Sequence, residues 1–577
     1  EYEYDTYGNV TKREVWKDIA AGAGIATNYT YADGTGLISS VSMTVTNADG
    51  AAGMRSADYV YDSRGNVTSF TDPNGAVTAR EYDILGRINK ITLDNGEEIS
   101  YNYNDTNNSV SYTDLNGATR ALYFSDNGNL MLESASHGTE TAIIRMFQHY
   151  YESGKPFVEY VENPGGDYAT YTGYDGLGRI TVNSYTVPGT GGGEIYKSES
   201  YSYAPVEITV GDRTVKCIRT LYSDFEGNYV SAVYADLFGD IVAESGVFGN
   251  DYLYGAVYYD RDSLGRVTEK YYLDGNRKVT ITEYSYDYTG RVVSETNADG
   301  NSRSIVYDAF GRKTSESDYK GNFTNYTYDE AGRVIKFTAP VSDASGTKTY
   351  VKKTYYDGVG NVTAETVAGG TAADDSRTEY TYNNMGYLTD VAVKQTGSSW
   401  SYTHYLYDTA GNVTDVYDGM YIPFDSYLTE EIYPSPHISY EYDAFGYLIS
   451  ETDELEHVEY YDYDPKGFLL RKSTTGDEPE DGVWNFLEYD YDRYGNLISE
   501  DYRTGAGTKD DAYMYTYDLN NRLVGSAYGH WYYYEHDESD NYGNEELDVD
   551  STESTYVYDT LGRLIKETQS VGGKSAV

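Results

Sequence analysis

Cysteine occurs once in the 577 residues, at Cys217. One thiol cannot build a disulfide framework within the chain. Proline is scarce at 11, and phenylalanine (14) and tryptophan (4) are few. No stretch of 18 apolar residues occurs, so the sequence offers no helix of the length a bilayer demands. Basic residues are also short: 43 Lys and Arg stand against 93 Asp and Glu, a formal net charge of −50. Such a surface repels polyphosphates and anionic lipid, which excludes nucleic acid as a partner and argues against membrane insertion.

The signatures of chemistry are missing as well. The histidines are His137, His149, His404, His437, His457, His530 and His536. They form no His-x-x-x-His pair and no Cys/His cluster, so no metal set is expected among them. There is no Gly-x-Ser-x-Gly elbow and no phosphate-binding glycine loop. Gly189-Thr190-Gly191-Gly192-Gly193 reads as a flexible loop. Cys217 sits in the strand-like run Thr214-Val215-Lys216-Cys217-Ile218 and reads as a buried, inert thiol. The expectation is no catalytic residue, no cofactor and no metal, hence no enzyme. Calcium at Asp-rich turns is the nearest alternative, with Asp537-Glu538-Ser539-Asp540-Asn541 the densest acidic run.

What the chain has in abundance is tyrosine, 71 residues of it, and one recurring phrase, Tyr-Asp-x-x-Gly. Thirteen strict copies begin at Tyr4, Tyr61, Tyr82, Tyr174, Tyr286, Tyr307, Tyr328, Tyr356, Tyr407, Tyr442, Tyr463, Tyr491 and Tyr558, and eleven carry Arg or Asn next. The clearest are Tyr61-Asp62-x-x-Gly65, Tyr82-Asp83-x-x-Gly86-Arg87, Tyr286-Asp287-x-x-Gly290-Arg291, Tyr307-Asp308-x-x-Gly311-Arg312 and Tyr328-Asp329-x-x-Gly332-Arg333. The tightest spacing is 21 residues, between Tyr61 and Tyr82 and between Tyr286, Tyr307 and Tyr328. Self-similarity at such a period signals an array whose units bury their apolar faces on one another.

Between phrases lies a second turn signal, as in Asp72-Pro73-Asn74-Gly75, Asp94-Asn95-Gly96, Asn297-Ala298-Asp299-Gly300 and Asp318-Tyr319-Lys320-Gly321. Two turns in 21 residues leave room for two short strands. Asp-x-x-Gly suits a type I turn closed by a left-handed residue, with Asp bonding amides ahead of it and Gly taking positive φ. Two copies put Asn where Gly is expected, at Tyr517-Asp518-Leu519-Asn520-Asn521 and at Tyr103-Asn104-Asp105-Thr106-Asn107. Tyrosine pairs two apart, such as Tyr284/Tyr286, Tyr326/Tyr328 and Tyr461/Tyr463, place both rings on one strand face. Stacked repeats would then set phenol beside phenol along a sheet. Worn copies, such as Ala235-Asp236-Leu237-Phe238-Gly239 and Arg261-Asp262-Ser263-Leu264-Gly265, bring the array to about twenty units over residues 1–577. Irregular insertions are expected near 131–170, 180–200, 417–440 and 525–555. The third holds Tyr421-Ile422-Pro423-Phe424 and Tyr433-Pro434-Ser435-Pro436, and the fourth Trp531-Tyr532-Tyr533-Tyr534.

On these thirteen phrases the chain resembles the YD-repeat or Rhs-repeat family. That resemblance implies an all-β fold of antiparallel hairpins coiled into a spiral sheet, a hollow shell or part of one. It implies a structural role in a secreted or cell-surface bacterial protein, enclosing a C-terminal, toxin-like polypeptide cargo or other parts of the same longer protein. The alternative is an adhesin-like module that binds glycan or a partner protein through inserted loops. The chain departs from complete members in lacking a terminal core with an Asp-Pro-x-Gly-Leu segment. The nearest text, Asp464-Pro465-Lys466-Gly467-Phe468, stands in ordinary repeat register. The expectation is therefore a segment of something longer.

Overall fold

The computed structural model of the chain describes residues 1–18, 23–150, 154–188, 194–210, 213–225, 227–246, 253, 255–275, 277–343, 346–368, 376–395, 399–420, 437–474, 486–503, 509–518, 520–534, 544–558, 563–571 and 574–576. Among them every regular element is a β-strand. The fold is all-β, a repeat array of antiparallel hairpins.

One stretch shows how the sequence builds it. Strand Ser302–Tyr307 pairs with Lys313–Ser317, which pairs with Phe323–Tyr328, which pairs with Val334–Asp343. Val306 lies opposite Ser315, yet the next residue, Tyr307, lies opposite Lys313, so one strand carries an extra residue. The same slip falls at the phrase tyrosine in Tyr61, Tyr82, Tyr286 and Tyr328. It is the bulge that follows a type I turn closed by a left-handed glycine. The backbone bonds agree. The Asp62 N–H donates to the Asn66 carbonyl (2.9 Å) and the Gly65 N–H to the Asp62 carbonyl (3.1 Å), with Gly65 at φ +88°. Asn521 takes the same conformation (φ +57°), as its place in the phrase requires. In the other Asn copy the left-handed residue is Asn108 (φ +51°), one later than expected. There strand Glu98–Asn104 runs one residue past the phrase tyrosine, which moves the turn along by one.

The hairpins gather into two compact units. One comprises Glu1–Asn102, Tyr112–Leu115 and Thr282–Ser439; the other comprises Tyr103–Ser111, Asn116–Ile281 and Tyr440–Val577. Burial is sparse and favours small residues. In the first unit Ile305, Ile335, Ala364 and Ala392 are buried. In the second, Ile208, Cys217, Leu221, Ala232, Tyr234, Ala243, Tyr258 and Tyr271 form one apolar cluster. A single sheet face supplies only alternate residues to a core, so most tyrosines stay half-buried with the hydroxyl near a polar partner.

Three of the four stretches expected to be irregular hold strands among their described residues. Residues 131–170 carry Leu130–His137, Glu140–Tyr150, Pro156–Val161 and Tyr168–Tyr174, each paired with the next. Near 180–200, Ile180–Pro188 pairs with Glu194–Val210, and near 525–555, Leu523–Tyr534 pairs with Asn544–Tyr558. Extra residues there lengthen hairpins, because their alternating Tyr, Thr and Val suit a pleated strand as well as the repeat does. The loop 189–193, the motifs within 421–436 and the acidic run from Asp537 lie outside the described residues.

Glu456 is a left-handed residue (φ +66°) that is neither Gly nor Asn. It closes the second turn, Asp453–His457, where its N–H reaches the Asp453 carbonyl (3.1 Å). A side chain in that region costs about 1–2 kcal/mol, and glycine's extra freedom when unfolded returns part of it. Glu456→Gly should therefore stabilise this hairpin by about 0.5–1 kcal/mol. The readout is slower hydrogen exchange in Leu448–Asp453 and Val458–Tyr463, and faster exchange would contradict it.

Candidate functional site

The phrase is itself the most elaborate polar construction in the chain, and each of its residues has a task. The aspartate comes first. Asp83 Oδ1 accepts from the N–H groups of Leu85 (2.9 Å) and Arg87 (2.9 Å), while Oδ2 accepts from Arg87 Nε (2.7 Å). Asp287, Asp308 and Asp329 hold Arg291, Arg312 and Arg333 through the same Nε bond at 2.7 Å. Where Asn replaces Arg, its amide takes that place: Asn66 Nδ2 reaches Asp62 Oδ2 at 2.9 Å. These donors act on the ionised form. The Arg87 N–H foremost holds the Asp83 carboxyl below the ordinary carboxylate range, and the Asn66 amide does so for Asp62.

Fixed by its aspartate, the arginine reaches the next hairpin. The guanidinium of Arg291 lies over the Tyr307 ring (4.8 Å to the centroid), Arg312 over Tyr328 (4.7 Å) and Arg333 over Tyr356 (4.6 Å). Nη1 of the same arginines donates to the carbonyls of Asp308 (3.2 Å), Asp329 (2.8 Å) and Asp357 (2.9 Å). What covers these phrase rings is thus the preceding arginine, not the preceding phenol. Three copies use an aromatic instead: Tyr387 meets Tyr407 (5.2 Å), Tyr447 meets Tyr463 (5.5 Å) and Phe468 meets Tyr491 (5.1 Å). A guanidinium and a ring are both flat, and both stack on a phenol.

The tyrosine completes the joint. Tyr82 Oη donates to the Val67 carbonyl (2.8 Å), Tyr328 to Lys313 (2.7 Å), Tyr356 to Val334 (3.0 Å), Tyr382 to Val362 (3.0 Å), Tyr407 to Leu388 (2.6 Å), Tyr491 to Leu469 (2.9 Å) and Tyr558 to Leu523 (2.9 Å). In these seven bonds the acceptor is the sixth residue after the previous phrase's tyrosine. Tyr61 donates to Ile38 (2.7 Å), one residue further on, because the turn before it, closed by the Ala32 N–H to the Leu37 carbonyl, is one residue longer. The bond spans 15 residues of chain at Tyr82 and 35 at Tyr558. Hairpin length therefore varies freely while the joint stays the same. The sequence signalled the tyrosine, aspartate, glycine and arginine, but not where the hydroxyl goes. The fixed offset of six could have been found by aligning phrases on the residue after Arg or Asn.

The two turn edges of the hairpins also meet. In the first unit, Thr46 donates to the Glu330 carboxylate from N (2.6 Å) and Oγ1 (3.1 Å). Asn74 Nδ2 reaches Asp357 Oδ2 (2.8 Å), and Asn384 Nδ2 reaches Asp94 Oδ2 (2.9 Å). Gly358 lies so near the Pro73 carbonyl oxygen that a Cβ there would stand 2.5 Å from it. In the second unit, Lys466 Nζ reaches the Glu162 carbonyl (2.5 Å) and Asn163 Nδ2 the Arg493 carbonyl (2.9 Å). Tyr494 lies between Tyr168 (5.2 Å) and Tyr185 (4.9 Å), with its hydroxyl on the Thr186 carbonyl (2.9 Å). In each case a phrase turn of a later hairpin meets residues in or near the second turn of an earlier one, 283 to 330 positions away.

Two further reactive side chains, Cys217 and His404, are buried in the fold. Cys217 is 1 % exposed within the apolar cluster, and burial pushes its thiol up. His404 is buried with Nδ1 2.6 Å from Asp390 Oδ1. An open groove of about 450 Å³ near Tyr29 and Tyr31 is lined by two turn aspartates, Asp5 and Asp33, and Asp5 is already engaged by the Tyr7 and Asn9 N–H groups. Among the described residues no three His, Cys, Asp or Glu side chains gather as a metal set, and no helix is long and apolar enough to cross a membrane.

The joint is testable at its tyrosine and at its aspartate. Tyr328→Phe removes one hydroxyl bond and keeps the ring under Arg312, so the loss should be about 1 kcal/mol. Hydrogen exchange in Lys313–Ser317 and Phe323–Tyr328 should quicken about fivefold, with distant hairpins unchanged. The turn aspartates set an acid limit. Asp62, Asp83, Asp175, Asp262 and Asp318 all lie below 3.8 when folded. Their contribution is complete above that ordinary value and is lost as pH falls through the lowered one. In enough salt to screen the net charge, the urea midpoint should hold steady down to about pH 4 and then drop. A midpoint that rises below pH 4 would refute this role.

The comparisons agree with this construction. The RHS Repeat family model matches residues 61–98 and 307–348, and the Teneurin YD-shell model matches 342–478. No curated protein matches the chain. Among solved structures, TcdB2-TccC3 aligns over 99% of this chain and 34% of its own, at 14% identity and a TM-score of 0.53. A TcdB2-TccC3 form without its hypervariable C-terminal region gives 13% identity, 99% and 35% coverage, and a TM-score of 0.55. The Tc holotoxin pore of Photorhabdus luminescens gives 13% identity, 100% and 35% coverage, and a TM-score of 0.52. The chain spans about a third of the length of these solved chains, and at such identity the likeness concerns the fold. Phrase, joint and family matches together show YD/Rhs repeats in this chain, over residues 61–98 and 307–478 by the family models.

Proposed function

We propose that this chain is a stretch of β-wall, in a secreted or surface bacterial protein, that encloses and shields a polypeptide. Residues 1–577 act as one continuous array, with the phrase residues from Tyr61 to Arg333 as its fasteners. The observation that carries this reading is where the polar groups of the phrase are spent. Asp83, Arg312 and Tyr328 each satisfy their own turn or the next hairpin. A residue set used up in joining units builds a surface and leaves no group to work on a substrate. The relatives support the shielding role. Solved relatives include TcdB2-TccC3-Cdc42 and TcdB2-TccC3-TEV, and another TcdB2-TccC3 lacks a hypervariable C-terminal region. A variable polypeptide accompanying a constant array fits a container. By this reading the acidic surface belongs to the outside of that container.

Small-angle X-ray scattering tests enclosure whatever the contents are. A wall around a lumen should give a pair-distance distribution weighted to long distances, as a hollow body does. A compact, solid-body distribution would sink the proposal.

A further inference from the structure

Each unit joins its early hairpins to its late ones, and the two units do so with different chemistry. In the second unit the join is built on buried apolar groups. Phe445, 8 % exposed, packs on Ala118 and Ala135, which are 0 % and 1 % exposed. The Tyr494 ring sits against Tyr168 and Tyr185, and Tyr185 in turn meets Phe225 (4.7 Å). Beside these rings Asn520 Oδ1 accepts from the Phe225 N–H (3.3 Å). Lys466, Asn163 and Tyr494 all donate to backbone carbonyls. Pulling such a join apart wets rings and methyl groups, which water does not compensate.

In the first unit the contacts across the join end on carboxylates. Glu330, Asp357 and Asp94 take Thr46, Asn74 and Asn384 as described above. Asp49 takes Lys353 Nζ (2.6 Å) and Tyr355 Oη (2.8 Å). The Asp49 and Lys353 side chains are 54 % and 34 % exposed. Bonds that water reaches lose little when water replaces the partner. The join is also incompletely filled. A gap of about 210 Å³ lies within it, lined by Val45, Thr46 and Gly53 from the early hairpins and by Arg333, Ile335 and Tyr356 from the late ones. Groups that face a gap forgo the dispersion contacts a filled join would give them.

We infer that the join of the first unit is a seam that opens and recloses as one piece, with the hairpins on both sides intact, while the join of the second unit stays shut. The bonds that hold each hairpin are separate from those that cross the seam. Ile38–Thr46 stays paired with Ala52–Tyr61, and Phe323–Tyr328 with Val334–Asp343, whether or not the Glu330 and Asp357 contacts are made. Motions of this kind draw on the least stable contacts of a fold, here the exposed polar ones around an unfilled gap. In the shielding wall proposed above, the seam is the way through for a polypeptide. That role rests on enclosure, whereas the opening does not, so a solid scattering profile would remove the passage and leave the seam.

Hydrogen exchange on the full chain tests it, because a backbone amide crosses each join. The Thr46 N–H donates across the first (2.6 Å) and the Phe225 N–H across the second (3.3 Å). Corrected for intrinsic rates, Thr46 should exchange at least about tenfold faster than Phe225, with the ladder between Ile38–Thr46 and Ala52–Tyr61 still protected. Asp94→Cys and Asn384→Cys, joined by a short bismaleimide, clamp the seam elsewhere along its length, and Cys217 is too buried to compete. The clamp should slow Thr46 about fivefold and leave Phe225 unchanged. Asn74→Ala removes one seam contact and should quicken Thr46 about threefold. Asn322→Ala removes a side-chain bond within its own turn and should not move it. Thr46 as protected as Phe225 overturns the inference. So does a clamp that leaves Thr46 unchanged, which would make its exchange local fraying, or an Asn74→Ala effect no larger than that of Asn322→Ala.

Discussion

A carboxylate that collects its donors from its own turn is the constraint on which this molecule rests. Asp308 shows it whole: Oδ1 takes the Phe310 and Arg312 N–H groups and Oδ2 takes Arg312 Nε. Those bonds hold the turn shut and fix the guanidinium in one plane. Only a fixed guanidinium can cover the Tyr328 ring and bond the Asp329 carbonyl at once. The Tyr328 hydroxyl then returns to the Lys313 carbonyl, on the strand that Arg312 introduces. Turn, side chain and neighbour form a loop of dependence that each new hairpin extends by one. The array has little other core to rely on, since its buried apolar residues are few and many are alanine.

This economy explains why the chain tolerates so much variation. Between Tyr517 and Tyr558 the hairpin is far longer than the repeat, yet Tyr558 still bonds the Leu523 carbonyl. At Tyr387, Tyr447 and Phe468 an aromatic replaces the arginine and the stack on the next phrase survives. What the joint requires is a flat group at one position and a hydroxyl at another. A structure assembled from identical nearest-neighbour contacts can change length between joints without being redesigned.

The edges impose a second, longer-range constraint. Contacts such as Asn384 to Asp94 and Asn163 to Arg493 tie residues 290 and 330 positions apart. They use whatever the turn happens to offer: an Asn amide, a Lys ammonium, the rings around Tyr494, or bare glycine where Gly358 approaches Pro73. Turn residues that look interchangeable in the phrase therefore differ in what they meet. Phe445 packs on Ala118 and Ala135, while Asn384 bonds Asp94.

The sequence alone determined the all-β fold, the hairpin unit and the left-handed residue of most turns, because these depend on contacts within a few residues. Tyr, Asp and Gly at fixed spacing encode them directly, and Asn521 could be placed by analogy. It did not determine Asn108, where a strand one residue longer moved the turn, nor the strands across 131–170, whose residues only look irregular beside the phrase. The destination of each tyrosine hydroxyl, the arginine between successive rings and the seating of late turns on early ones were decided by tertiary structure. Each of these joins groups on different hairpins, at separations that vary from 15 residues to 330, and no local pattern carries that information.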